Sequence, residues 1–149
     1  MAGKSKPLNP ERVKELLTIF NNSVSIARFF GMKLSFTDAG NAVIDLPYNP
    51  NLNHGRGGIH GGVYMTMLDS AGALTAAVHH DLSGFLATSE MSAHFLLPAE
   101  RTSLRAVGKI IKHGRRQDIV EMELHDEQGR LVGHATGTFI VLPKENKGG

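Results

Sequence analysis

A chain of 149 residues is the size of one domain with a sizeable core, and 41% hydrophobic with 20% charged residues is ordinary for a globular protein. A formal net charge of +2 is too small to argue for a nucleic-acid partner, and the absence of cysteine excludes a disulfide framework, a thiolate metal site and a Cys nucleophile. No apolar run is long and uninterrupted enough for a membrane span, and the opening MAGKSKPLNP lacks the apolar core of a signal peptide, so the expected location is the cytoplasm.

In chain order, residues 1–9 read as a flexible tail, residues 10–143 as one domain and residues 144–149 as a polar tail. Asn9-Pro10-Glu11 is a helix start, with Asn as cap, Pro in the first turn and an acid beside the positive end. Val13, Leu16, Leu17 and Phe20 then recur at helical spacing. Ser23 is expected to cap a second short helix carrying Val24, Ala27 and Phe30, which Gly31 ends. From Met32 the period changes to two, predicting strands over 32–37 and 42–47 around the turn Asp38-Ala39-Gly40-Asn41. Pro47 and Pro50 break the chain, and NPNLNHGRGG has no apolar period, so it reads as a loop.

The next stretch organises the rest. His60 to His80, HGGVYMTMLDSAGALTAAVHH, reads as one helix that is apolar nearly all round, and therefore as a buried helix. Its only charge between the end histidines is Asp69, and a lone buried carboxylate is expensive unless something pairs with it or uses it. Ala71, Gly72, Ala73, Ala76 and Ala77 allow a sheet or a ligand to approach closely. His79 and His80 suit the negative end of the helix.

After an expected turn at Asp81-Leu82-Ser83-Gly84, residues 85–97 alternate. Phe85, Ala87, Met91, Ala93, Phe95 and Leu97 share a face interrupted only by Ser89, which predicts a long strand with one buried face. Residues 103–112, 117–125 and 131–142 are three further strands, joined by turns at 113–116 and 126–129. Short turns make these neighbours antiparallel. The class is α+β, with one curved antiparallel sheet wrapped around a long central helix. A single sheet leaves a second face and open edges, so self-association is expected.

The run HGRGGIHGGVYMTMLDSAGALTA resembles the hotdog-fold acyl-CoA thioesterases of the phenylacetic-acid-degradation (PaaI) type. Its most specific part is Gly57-x-x-His60-Gly61-Gly62, followed on the helix by Asp69 and small residues. The resemblance implies that Gly61 offers its backbone N–H to the thioester carbonyl and that Asp69 is the nucleophile or general base. It implies that Thr88, on the following strand, helps to place the water. Six residues before His60, where the family has Asn, this chain has His54, with Asn53 just before it. The water-positioning role in that loop can fall to His54, to Asn53 after a small shift, or to neither. No cofactor is implied beyond the coenzyme A of the substrate.

The chemistry agrees with this from the residues alone. Thioester hydrolysis needs a donor for the developing oxyanion and a base or nucleophile on the other side of the carbonyl. A helix N-terminus supplies free N–H groups and a favourable dipole, and Gly61-Gly62 lets a substrate come close. Asp69 supplies the base or nucleophile. On a helix, His60 and Asp69 stand ~13 Å apart and about half a turn around the axis. One chain cannot aim both at one carbonyl, but two helices running antiparallel across a two-fold axis can. A homodimer is therefore the expected minimal unit, with a homotetramer as the fuller assembly.

Other readings compete. Asp69 alone could be a structural acid, and His60 a helix cap with a positioning role. His54 and His60 offer no third ligand at metal spacing, so no metal is expected. The glycine pairs lack the Lys-Ser/Thr of a phosphate loop. By composition, Lys112-His113-Gly114-Arg115-Arg116 is a solvated turn. In the family it resembles, basic residues here meet the phosphates of coenzyme A, and Arg56 and Gly62 are further substrate-binding candidates. A hotdog hydratase or dehydratase would want a His and an acid paired on the substrate carbons, and a non-catalytic acyl-CoA binder would have no use for Asp69.

Overall fold

The structure, a computed structural model, describes residues 6–81 and 85–143; the outer parts of both tails and residues 82–84 of the expected turn lie outside the described residues. The Asn9 side chain accepts from the Glu11 N–H at 3.0 Å and starts α1 (Pro10–Asn22). Leu16 and Phe20 bury its inner face. Arg12 is buried beside them, its Nε donating at 3.1 Å to the carbonyl of Ala77, one of the last carbonyls of the long helix. The second helix, α2 (Ser25–Phe30), ends on Gly31 in the left-handed region at φ 85°. Ser23 does not cap it. The Ile19 carbonyl accepts the N–H groups of both Ser23 and Val24, so Ser23 closes α1 and Val24 stands at the start of α2.

Six antiparallel strands follow: β1 (Lys33–Phe36), β2 (Ala42–Leu46), β3 (Phe85–Phe95), β4 (Leu104–Lys112), β5 (Gln117–Asp126) and β6 (Leu131–Leu142). They lie in the order β1-β2-β4-β5-β6-β3. The long helix α3 (Gly61–Ala77) crosses the inner face of this sheet and packs against β2 through β6. Val63, Met67, Leu68, Ala71 and Ala76 of α3 meet a sheet face built from Ile44, Ala106, Val120, Met122, Ala135 and Phe139. This is the curved sheet around one helix that the sequence predicts.

Two glycines set the distance between the layers. A Cβ on Gly108 would stand 2.6 Å from the Ala71 carbonyl and run into Thr75. A Cβ on Gly72 would stand 2.8 Å from the Met122 sulfur and run into Phe139. Thr75 is itself fully buried and accepts the Ala42 N–H at 2.9 Å, so it cannot retreat without leaving that buried N–H unpaired. Gly108→Ala is accordingly expected to destabilise by about 1–3 kcal/mol, the usual range for overpacking. Urea unfolding checks this; unchanged stability would mean that α3 lifts off the sheet freely.

Three details differ from expectation. The helix stops at Ala77, and His79 and His80 lie in the turn beyond it, whose amides bond to Ala76 and Ala77. It is not buried all round. Met65, Thr66, Asp69, Ser70 and Ala73 are only half-buried, because the sheet covers one side of α3. And β3 has no continuous buried face. It is the sheet edge, and its register against β6 slips between Thr88 and Glu90. Cross-strand partners share a face. Before the slip Thr88 pairs with Phe139, and after it Ala93 pairs with Ala135, both partners being buried against the helix. A bulge at Ser89 thus exchanges the two faces of the strand, so that Leu86 and Thr88, then Met91 and Ala93, look towards α3.

Candidate active site

The loop before α3 is held by its own backbone. Asn49 accepts from Asn51 to start a short 3-10 turn at Pro50–Leu52. The His54 N–H donates to the Gly58 carbonyl at 2.8 Å, the Gly57 N–H to the His54 carbonyl at 2.9 Å, and the Ile59 N–H to the Ala99 carbonyl at 2.9 Å. Gly57 sits at φ 89°, where a side chain would be strained. The His60 N–H donates to the Leu52 carbonyl at 3.0 Å and so fixes His60 as the residue that caps α3.

That cap determines which amide is left free. His60 Nδ1 accepts the Gly62 N–H at 2.8 Å, and the His60 carbonyl accepts the Val63 N–H at 2.9 Å. An accepting Nδ1 places the ring proton on Nε2. A Cβ on Gly62 would lie 2.9 Å from that Nδ1, so Gly62 serves the cap. The Gly61 N–H has no acceptor among the described residues. The Phe95 ring closes one side of Gly61, standing 3.1 Å from where a Cβ would be. Phe95 meets Tyr64 edge-on at 5.4 Å, and the Tyr64 hydroxyl donates to the Leu97 carbonyl at 2.9 Å. Burial pushes the Tyr64 phenol above its usual pKa, which keeps it a neutral donor.

Two turns along α3, Thr88 Oγ1 donates to Asp69 Oδ1 at 2.6 Å. The bulge at Ser89, anchored by Ser89 Oγ on the Thr138 carbonyl at 3.1 Å, aims Thr88 at the helix. The other Asp69 oxygen has no hydrogen-bond partner among the described residues, and the carboxylate is half-buried. It is not the isolated buried acid that the helix pattern predicts.

The structure therefore brings Asp69 and Thr88 together, and His60 with Gly61 and Gly62. It does not bring these two groups to one point within a chain, since the helix separates them by ~13 Å. His54 folds onto its own loop, its Nδ1 accepting the Arg56 N–H at 3.1 Å. Asn53 donates from Nδ2 to the Tyr48 hydroxyl at 3.1 Å, and its Oδ1 is buried with no partner among the described residues. Arg56, Lys112, Arg115 and Arg116 are exposed, without an ion pair among the described residues. His113 and Gly114 differ from the rest of their turn. His113 Nδ1 and the Gly114 N–H both bond to Asp118, a buried acid that no local pattern in the sequence marks.

A family model described as the thioesterase superfamily matches residues 56–133, from the loop ahead of α3 into β6. The chain belongs to the thioesterase superfamily. A protein of Saccharolobus solfataricus, named as a candidate esterase, is 29% identical over 130 residues, covering 87% of this chain and 92% of that protein. Two solved structures share the fold at 18% identity. A Haemophilus influenzae thioesterase has a TM-score of 0.81, covering 91% of this chain and 94% of its own. The Escherichia coli PaaI protein, from the phenylacetic acid degradation operon, has a TM-score of 0.77, covering 89% and 94%. The sheet and central helix are thus the hotdog thioesterase fold, and membership of the superfamily supports thioester hydrolysis as the general activity. No helix among the described residues is long and apolar enough to cross a membrane.

Proposed function

We propose that this thioesterase-superfamily protein hydrolyses an acyl- or aryl-CoA thioester of the PaaI class to the free acid and coenzyme A, at sites shared between two subunits. The observation that carries the reading is the Gly61 N–H, left without an acceptor at the start of α3 while its neighbours are taken up by His60. A free amide at a helix N-terminus is a donor aimed at developing negative charge. The thioester carbonyl oxygen takes that donor from one subunit. Asp69 of the other subunit either draws a proton from a water that attacks the carbonyl carbon, or attacks it itself to give an acyl-aspartyl anhydride that water then hydrolyses; on either route the thiolate of coenzyme A leaves and the free acid is released. Thr88, donating to Asp69, can accept a hydrogen bond from that water. In the loop, His54 Nδ1 is engaged by the Arg56 N–H and Asn53 Oδ1 is buried and unpaired, so the second water contact falls to His54 Nε2 or, after a small shift, to Asn53. No metal or bound cofactor enters this reaction.

The assembly follows from the edges. At one end of the sheet β1 is four residues long and lies against α1; at the other, β3 is eleven residues long. Phe85, Phe95, Leu96 and Leu97 are exposed on or beside β3, next to the half-buried face of α3. A long apolar edge of this kind is suited to pairing with a second copy. Two α3 helices meeting antiparallel there put Gly61 of each opposite Asp69 of the other. The homodimer is then the minimal active unit, with two dimers joining into a tetramer.

Release of free thiol from a panel of acyl-CoAs, read with DTNB, tests the reading. Turnover of at least one acyl-CoA is expected. Saturable binding without thiol release would make the domain an acyl-CoA binder, and loss of enoyl absorbance without thiol release would make it a hydratase.

The basic turn carries its own prediction. If Lys112, Arg115 and Arg116 hold the nucleotide phosphates, they act far from the thioester and bind ground and transition states alike, which appears in KM. Arg115→Ala with Arg116→Ala is expected to raise KM about tenfold, the equivalent of one or two charge-assisted hydrogen bonds, with kcat little changed. High salt shrinks the difference. An acyl-pantetheine, which lacks the nucleotide, should be indifferent to the substitutions; equal losses for both substrates would make the turn structural.

A further inference from the structure

At the far end of α3 from Gly61, two imidazoles converge on one buried carboxylate. Asp118 of β5 is fully buried. Its Oδ2 lies 2.8 Å from His80 Nε2, its Oδ1 2.8 Å from His113 Nδ1, and Oδ1 also accepts the Gly114 N–H at 2.9 Å. His80 comes from the turn after α3 and His113 from the β4–β5 turn, so three separate segments meet at one side chain. The ligand-capable atoms of the three residues all lie within 4.8 Å of one another. Among the described residues, no Lys or Arg pairs with Asp118; its ion-pair partners are these two histidines. A carboxylate removed from water needs hydrogen bonds or a compensating charge around it. His79 stands next to the group, its ring 5.9 Å from that of His113.

We propose that His80, His113 and Asp118 form a binding site for a divalent transition ion of the zinc class. Two imidazole nitrogens and one carboxylate oxygen suit such borderline ions, whereas magnesium and calcium favour oxygen ligands throughout. Ligand distances of about 2.0–2.2 Å put ligand atoms roughly 3–3.5 Å apart around a tetrahedral ion. The present spacings, up to 4.8 Å, close to that with shifts of roughly 1–2 Å. His113 can supply them, since its side chain is 49% exposed and stands in a turn. The Gly114 N–H on Asp118 Oδ1 is the kind of outer contact that orients a ligating carboxylate. Three protein ligands leave a coordination position open. His80 and His113 also line a cleft of about 690 Å³ together with His79, Asp81 and Lys109, with Asp118 buried behind them, and the cleft gives water or a small anion a route to the two histidines. The site is separate from Asp69 and does not rest on the acyl-CoA reading. The competing account is that Asp118 only staples the β4–β5 turn to the end of α3.

The untagged, chelator-treated full chain, titrated with Co²⁺ in a calorimeter and by visible absorption, separates the two. One Co²⁺ per chain is expected, with the absorption bands of a four- or five-coordinate ion, displaced by Zn²⁺ and not by Mg²⁺. His80→Ala and His113→Ala should each weaken binding by more than the roughly tenfold that loss of an outer contact to a ligand typically costs, and together abolish it. His125→Ala, on an imidazole outside the cluster, should leave it unchanged. Circular dichroism checks the fold, and the exposed His113 variant decides the matter if the His80 variant does not fold. No saturable Co²⁺ binding, or equal binding by the double variant, would overturn the site and leave Asp118 as a staple.

Discussion

Asp69→Ala is expected to lower kcat for an acyl-CoA by about 10²–10⁴-fold, the range associated with losing a positioned base, while the fold survives. The stability half of this prediction comes from the surroundings of the carboxylate. It is half-buried, holds one hydrogen bond from Thr88 and lies on the helix face that the sheet leaves uncovered. Losing that bond costs about 1 kcal/mol, and alanine returns a few tenths through its helix propensity. The melting temperature should therefore move by a few degrees at most. Thr88→Val isolates the hydroxyl: it should lower kcat less than Asp69→Ala, because the carboxylate remains. Near-normal kcat in Asp69→Ala would remove Asp69 from the reaction, and unfolding would make it a structural acid.

What the sequence made legible depended on whether a pattern was local. The cap at Asn9, the glycine stop at Gly31 and the apolar run of α3 are set by neighbours in the chain, and the elements form where those residues stand. The alternation over 85–97 predicts a single face, and Ser89 is the one residue that breaks it. That break is the bulge, and it turns Thr88 rather than Ala87 towards Asp69. A two-residue period carries no information about a partner strand's register, so the exchange of faces was invisible without β6. The Asp118 cluster was hidden for a similar reason. His80, His113 and Asp118 belong to three segments, and only the antiparallel return of β4 and β5 beneath the end of α3 joins them. An apolar surface reads as buried whether the same chain or a second copy covers it, so the uncovered side of α3 leaves no mark in the sequence.

Gly61→Pro should lower kcat by about 10²–10³-fold, the loss associated with one oxyanion donor. Proline is the substitution that removes this N–H with least disturbance. Gly61 is the first residue of α3, where proline's fixed φ suits the helix. His60, before it, has φ −64° and ψ 139°, the extended geometry that a residue ahead of proline adopts. The Gly61 N–H donates to nothing among the described residues, so no internal bond is lost. The one crowded contact is with the Phe95 ring at 3.1 Å, which must give by a few tenths of an ångström. The shared-site reading then makes a sharper demand. In a heterodimer of a Gly61→Pro subunit with an Asp69→Asn subunit, one site combines an intact Gly61 from the second with an intact Asp69 from the first. The other site has neither. Unfolding and refolding an equal mixture of the two inactive variants should therefore restore roughly a quarter of wild-type activity, because about half of the dimers are mixed and each has one working site. Refolding either variant alone should restore none. Well-folded mixed dimers that stay inactive would mean that the amide and the carboxylate do not act on the same carbonyl across the two-fold axis.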